Sequence, residues 1–177
     1  MSLSQGARQL LGIPLDAELP TDLAELYDQW FAGRSYEARF REGWSFEPRG
    51  QPSGLHGVRG LDCCLDHRTA QFYFGLDAAL GVHVLCNDWV QIASSFTQLV
   101  EADAVLAASN GRGLDRRPLG NYASFEDFQA SNRSLLSGFR EIQLDPGFHA
   151  AFVGEKSAVL AGRFYADEYS IWACEYL

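Results

Sequence analysis

Lysine is almost missing from this chain: Lys156 is the only one. Arginine supplies the rest of the 14 basic residues, which face 23 Asp and Glu for a formal net charge of −9. Nucleic-acid binding draws its affinity from clustered Lys and Arg that displace counterions from phosphates. The densest basic group is Arg112, Arg116 and Arg117 in NGRGLDRRPLGN, within a Gly-, Arg- and Asn-rich stretch over 109–123 that reads as an exposed loop. Nucleic acid is therefore not an expected partner. Long apolar runs are missing too. No uncharged stretch approaches the roughly 20 residues that span a bilayer. The opening MSLSQGARQLLGIPLDAELP has no apolar centre of the kind a secretory leader carries. No membrane association is expected.

Cysteine is scarce and badly spaced for chemistry. Cys63 and Cys64 are adjacent, Cys86 and Cys174 lie far off, and no C-x-x-C occurs. Neither a zinc site nor a thioredoxin-like motif is signalled. Buried reduced thiols and a cytoplasmic setting are the expectation. Also missing are G-x-S-x-G, the Walker phosphate loop and G-x-G-x-x-G, so neither a nucleophile elbow nor a nucleotide cradle is predicted. Gly111-Arg112-Gly113 lacks the preceding strand and following helix that such a loop needs. No cofactor is expected.

What is present is a globular composition. Of 177 residues, 47% are hydrophobic and 13% aromatic, enough to bury a core without disulfides or metals and consistent with one domain over 1–177. A short helix is predicted over Gln5–Leu11. A second begins at Pro20, whose missing N–H costs nothing in a first turn, with Asp22 and Glu25 favoured there by the helix dipole. Leu19, Leu23, Leu26, Tyr27, Trp30 and Phe31 recur at helical spacing up to Gly33. A short strand and a loop over Pro48–Gly60 follow. Leu61–Leu65 and Thr69–Leu76 read as a hairpin, then Gly81–Cys86 and Trp89–Ala93 as further strands of an antiparallel meander. In Gly81–Cys86, Val82 and Val84 face away from His83 and Leu85.

Ser95-Phe96-Thr97-Gln98 reads as a capping box opening a helix that Ser109-Asn110-Gly111 stops. Phe96, Leu99, Val100, Val105 and Leu106 are expected on one apolar face. A third helix runs over Phe125–Ser137 with Ser124 as its cap, and Asp145-Pro146-Gly147 is a turn. The tail reads as a hairpin of Ala158–Tyr165 and Tyr169–Tyr176. Together these elements predict an α+β fold.

Two of these phrases carry a family resemblance. Leu19-Pro20-Thr21-Asp22-Leu23-Ala24-Glu25-Leu26-Tyr27 resembles the N-terminal helix motif of the SUKH superfamily. Ile92-Ala93-Ser94-Ser95-Phe96-Thr97-Gln98-Leu99-Val100 is similar to that family's strand followed by a helix. The resemblance spans roughly residues 10–108. The family's Asn-Gly after the first helix is replaced by Phe31-Ala32-Gly33-Arg34, and a helix and hairpin over about 124–177 follow the similar part. The family gathers cell-wall synthesis regulators and bacterial immunity proteins. The resemblance implies helices packed on a mostly antiparallel sheet and a non-enzymatic role, namely neutralising a polymorphic, nuclease-type toxin by direct binding.

Candidate site residues follow from charge and aromaticity. The acidic pairs Glu101 with Asp103 and Glu126 with Asp127 are expected on solvated helix faces, and Asp167 with Glu168 in a turn. Together they offer an anionic patch for a basic toxin domain. Trp44, beside Gly43 and a loop, is the expected exposed anchor, since interface hot spots favour Trp. Asp62, Cys63, Cys64, Asp66 and His67 cluster in sequence, but an extended chain sends the two thiols to opposite faces. His56, His83 and His149 have no evident partner group. No catalytic or metal-binding residue is assigned. Two other functions stay open: a small enzyme or ligand-binding domain using a pocket near His67 or His83, and a module that dimerises through the edge of the C-terminal hairpin. Either a monomer or a homodimer fits.

Overall fold

The computed structural model describes residues 3–36, 44–46, 73–85, 88–109, 116–145, 147–163 and 171–177. Helix α1 (Gln5–Leu11) starts at Ser4, whose Oγ accepts the Ala7 N–H at 3.2 Å. It stops at Gly12, whose φ of 64° is the left-handed conformation that spares glycine a steric cost. Helix α2 (Leu23–Trp30) begins three residues later than Pro20. The reason is Asp22: its carboxylate accepts the N–H groups of Ala24 and Glu25, each at 3.0 Å, and so fixes the cap there. Strands β1 (Ser35–Tyr36) and β2 (Trp44–Ser45) then pair antiparallel, with Tyr36 opposite Trp44.

A meander of β3 (Tyr73–Leu76), β4 (Val82–Leu85) and β5 (Trp89–Ala93) forms a three-stranded antiparallel sheet in that order. As the sequence alternation predicts, Val82 and Val84 are buried and His83 and Leu85 less so. The predicted partner strand Leu61–Leu65 lies outside the described residues.

Helix α3 (Phe96–Ser109) is the central wall of the molecule. Its Phe96, Leu99, Val100 and Ala104, spaced i, i+3, i+4 and i+8, close one core with α1, α2 and the meander. In that core Phe96 meets Phe31 edge-on with ring centroids 4.4 Å apart and Tyr27 at 5.4 Å. Val105 does not share that face. Nine residues at about 100° each place it about 180° from Phe96, against Ala151, Ala158, Leu160 and Cys174 of a second sheet. The predicted single stripe is therefore two, because α3 is covered on both sides.

The second sheet has five antiparallel strands in the order β6 (Arg116–Tyr122), β10 (Ile171–Tyr176), β9 (Ala158–Arg163), β8 (His149–Val153) and β7 (Arg140–Gln143). Its far face is covered by α4 (Phe125–Ser131) and α5 (Arg133–Leu136), whose Phe128 packs on Phe152, Val159, Ala161, Ile171 and Ala173. Strand β9 is apolar from Ala158 to Ala161 because both of its faces are buried there: Ala158 and Leu160 point to α3, Val159 and Ala161 to α4. The architecture is α+β with mostly antiparallel sheets, as the sequence indicates.

Two expectations are corrected here. The stretch taken as a loop over 109–123 contains β6. Its Gly, Arg and Asn content reads as a loop, but β6 is at an edge and its register with β10 shifts at Ala173 and Cys174, so Leu119 bulges out beside Pro118. An edge strand with a bulge tolerates a residue that lacks an N–H. The C-terminal hairpin of β9 and β10 is confirmed, but both strands are interior, so it offers no free edge for dimerisation.

Candidate functional site

The acids and the tryptophan picked from sequence do not form one patch. Trp44 is 1% exposed. Its ring stands edge-on to Phe74 at 4.9 Å, so it is a core side chain and not an exposed anchor. Asp103 is not on a solvated face either. It is 2% exposed and its Oδ2 accepts the Tyr36 hydroxyl at 2.8 Å, tying α3 to β1. Glu101 is half-buried, and its Oε1 accepts the Ser4 N–H at 2.7 Å, which binds the start of α1 to α3. Glu126 and Asp127 are exposed in the first turn of α4, where Ser124 caps the helix through the Asp127 N–H at 3.1 Å. Asp167, Glu168, His56, His67, Cys63, Cys64 and Cys86 lie outside the described residues.

His83 has a partner that spacing did not reveal. Its Nε2 donates to Asp77 Oδ2 at 2.7 Å across the β3–β4 turn. The other oxygen of Asp77 accepts the N–H groups of Ala79 at 2.8 Å and Gly81 at 2.9 Å. Partial burial alone would raise the Asp77 pKa. The His83 hydrogen bond, the two backbone donors and the His83 charge together outweigh it, and the carboxyl sits below its ordinary value. A catalytic histidine needs one ring nitrogen on its carboxylate and the other facing substrate. Here Nδ1 of His83 is closed off from solvent, with no hydrogen-bond partner among the described residues. The pair therefore fixes the turn: Leu80, held there at a φ of 64°, turns its carbonyl to accept the Phe96 N–H at 3.1 Å, the first donor of α3. His149 is buried, packed against Gly162.

Reading charge by pairs missed an acidic surface. Asp16, Glu18, Asp22, Glu25 and Asp28 are all exposed, and no Lys or Arg lies within residues 16–28. The signal was a local run of one sign spread over a loop and a helix. Arg8 braces that loop, its Nη1 donating to the carbonyls of Pro14, Leu15 and Ala17 at 3.1, 3.2 and 2.9 Å.

Beside this acidic surface, the start of α2 and the start of α3 enclose a cleft of about 310 Å³ lined by Leu3, Leu23, Ser94, Ser95, Thr97, Gln98 and Glu101. Ser95 Oγ and Thr97 Oγ1 bond each other at 2.7 Å, and Ser95 Oγ accepts the Gln98 N–H at 3.3 Å, the forward half of the predicted capping box. The Ser94 N–H goes to the buried carboxylate of Asp145 at 2.6 Å. Among the described residues, no three His, Cys, Asp or Glu side chains are grouped to hold a metal ion. No described helix is long and apolar enough to cross a membrane. In comparisons with known proteins, no family model, no curated protein and no solved structure matches this chain.

Proposed function

We propose that this chain is a non-enzymatic protein-binding domain that docks a basic protein on the acidic face formed by α2 and the loop before it. The observation that carries this reading is the exposure of all five acids within residues 16–28, with no base among them. Even with the Arg8 guanidinium bonded to the carbonyls of this loop, an excess of acids steers a basic partner and raises its association rate. Asp77 and His83 favour binding over catalysis, since neither imidazole nitrogen is presented to an incoming molecule. The phrase that resembles the SUKH superfamily, Leu19–Tyr27, runs along this face. That resemblance gives the partner a specific form: a nuclease-type toxin with a basic surface, neutralised in the cytoplasm by an immunity protein.

The test is binding kinetics against the toxin domain encoded beside this gene, for the wild type and for the triple variant Asp16→Asn, Glu18→Gln, Asp28→Asn. Asp22 and Glu25 are kept because Asp22 caps α2 through the Glu25 N–H. The expected result is an association rate that falls with added salt and falls again in the triple variant, while dissociation changes less. No binding of that neighbour, or binding indifferent to both salt and the triple variant, would overturn the reading.

A further inference from the structure

We propose that the cleft between α2 and α3 receives an arginine side chain of the docked partner; this rests on the docking reading above. The cleft lies beside the acidic face through Leu23, the first residue of α2 after its cap Asp22. Among the described residues that line it, Glu101 is the only charged one, and none is Lys, Arg or His. Oε1 of Glu101 holds the Ser4 N–H, while Oε2 carries no hydrogen bond to a described residue.

A helix start ordinarily attracts anions, because its first N–H groups have no partner within the helix. At α3 two of those donors are taken. The Phe96 N–H goes to the Leu80 carbonyl and the Gln98 N–H to Ser95 Oγ, and just before the helix the Ser94 N–H goes to the Asp145 carboxylate. Asp145 lies behind the cleft, bonded to the Ser94 N–H; the carboxylate that lines the cleft is Glu101, and its charge gives a cation an acceptor there. Leu3 and Leu23 supply apolar walls. An arginine matches that combination: its methylene stem covers apolar surface, and its guanidinium offers several donors while being weakly hydrated.

The experiment is a titration of the isotope-labelled full chain with Nα-acetyl-arginine methylamide, read at backbone amides by two-dimensional NMR. The citrulline analogue, which keeps the shape and loses the charge, serves as control. The expected result is that amides of Ser94 to Glu101 respond to the arginine probe and at least tenfold more weakly to citrulline. Glu101→Gln, which keeps an oxygen for the Ser4 N–H, should weaken the arginine response about tenfold, as loss of one charge-assisted hydrogen bond does. A second variant, Gln98→Arg, which lays a guanidinium of the chain's own in the cleft, should abolish it. Equal responses to both probes, a response confined to residues 16–28, or full binding by both variants would overturn the proposal. A partner protein that binds Glu101→Gln as tightly as wild type yet loses affinity for the triple surface variant would overturn the cleft and leave the docking face standing.

Discussion

Asp145 joins the two halves of the molecule, and removing it should be felt in both. It follows β7, is 3% exposed, and its Oδ2 accepts the N–H of Ser94, 51 residues earlier, at 2.6 Å. Asp145→Ala removes a hydrogen bond to a charged acceptor, worth about 1.5–3 kcal/mol. Ser94 is an exposed residue. The bond itself is part-buried, which sets the expectation near about 2 kcal/mol. For a chain of this size each kcal/mol moves the melting midpoint by about 2–4 °C, so the shift should be about 4–8 °C downward. Asp145→Asn keeps a neutral acceptor and should lose about half as much. The assay is calorimetry or circular-dichroism melting beside Glu155→Ala, an exposed control that should shift by under about 1 °C. If Asp145→Ala melts with that control, or if Asn destabilises more than Ala, the tether has been misread.

Three further outcomes can be checked by the same methods. Trp44→Ala should destabilise by about 3–5 kcal/mol in urea denaturation, the range for emptying a core site, whereas a loss near zero would restore it to the surface. Gly162→Ala should destabilise by about 1–3 kcal/mol in the same assay through overpacking, because its methyl would sit 2.9 Å from His149 Cδ2; a neutral result would mean that the imidazole moves aside freely. The Asp77 carboxyl sits below its ordinary value of 3.8 when folded. Its contribution is therefore present above that value and is lost as pH falls through the lower folded one. The stability gap between wild type and Asp77→Asn should thus shrink between about pH 5 and pH 2; a gap that widens on acidification would reverse the sign of the argument.

Much of the architecture was legible because local signals and tertiary packing agreed. Ser95 and Ser124 each cap the helix that hydroxyl placement predicts. Alternation in Val82–Leu85 gave β4 its buried face. Failures came where a neighbour outweighed a local rule. Val105 looked like part of one helical stripe because a sequence cannot show that a second sheet covers the back of α3. The Gly, Arg and Asn content of 109–123 hid β6 because its edge position and the bulge beside Pro118 show only against the partner strand. Asp103 looked solvated because its neutral partner, the Tyr36 hydroxyl, is 67 residues away. The Asp77–His83 pair spans only six residues, yet it stayed hidden because the β3–β4 turn, and not a helical or strand period, brings the two together. The acidic face required summing charge along a loop and a helix that were considered separately.

Strand β10, the latest described along the chain, takes the second position in its sheet, between β6 and β9. Its β6 partner is formed from residues 116–122, so synthesis exposes β6 long before anything can zip to it. Until residues 171–176 leave the ribosome, β9 keeps a bare apolar edge and β6 has no neighbour. The fold must therefore be finished by wedging a final strand into a waiting gap. Such late, non-local pairing slows folding and opens a window for mispairing with other chains. A chain cut short before Ile171 would hold that window open permanently, making truncation a route to aggregation rather than to a smaller folded domain.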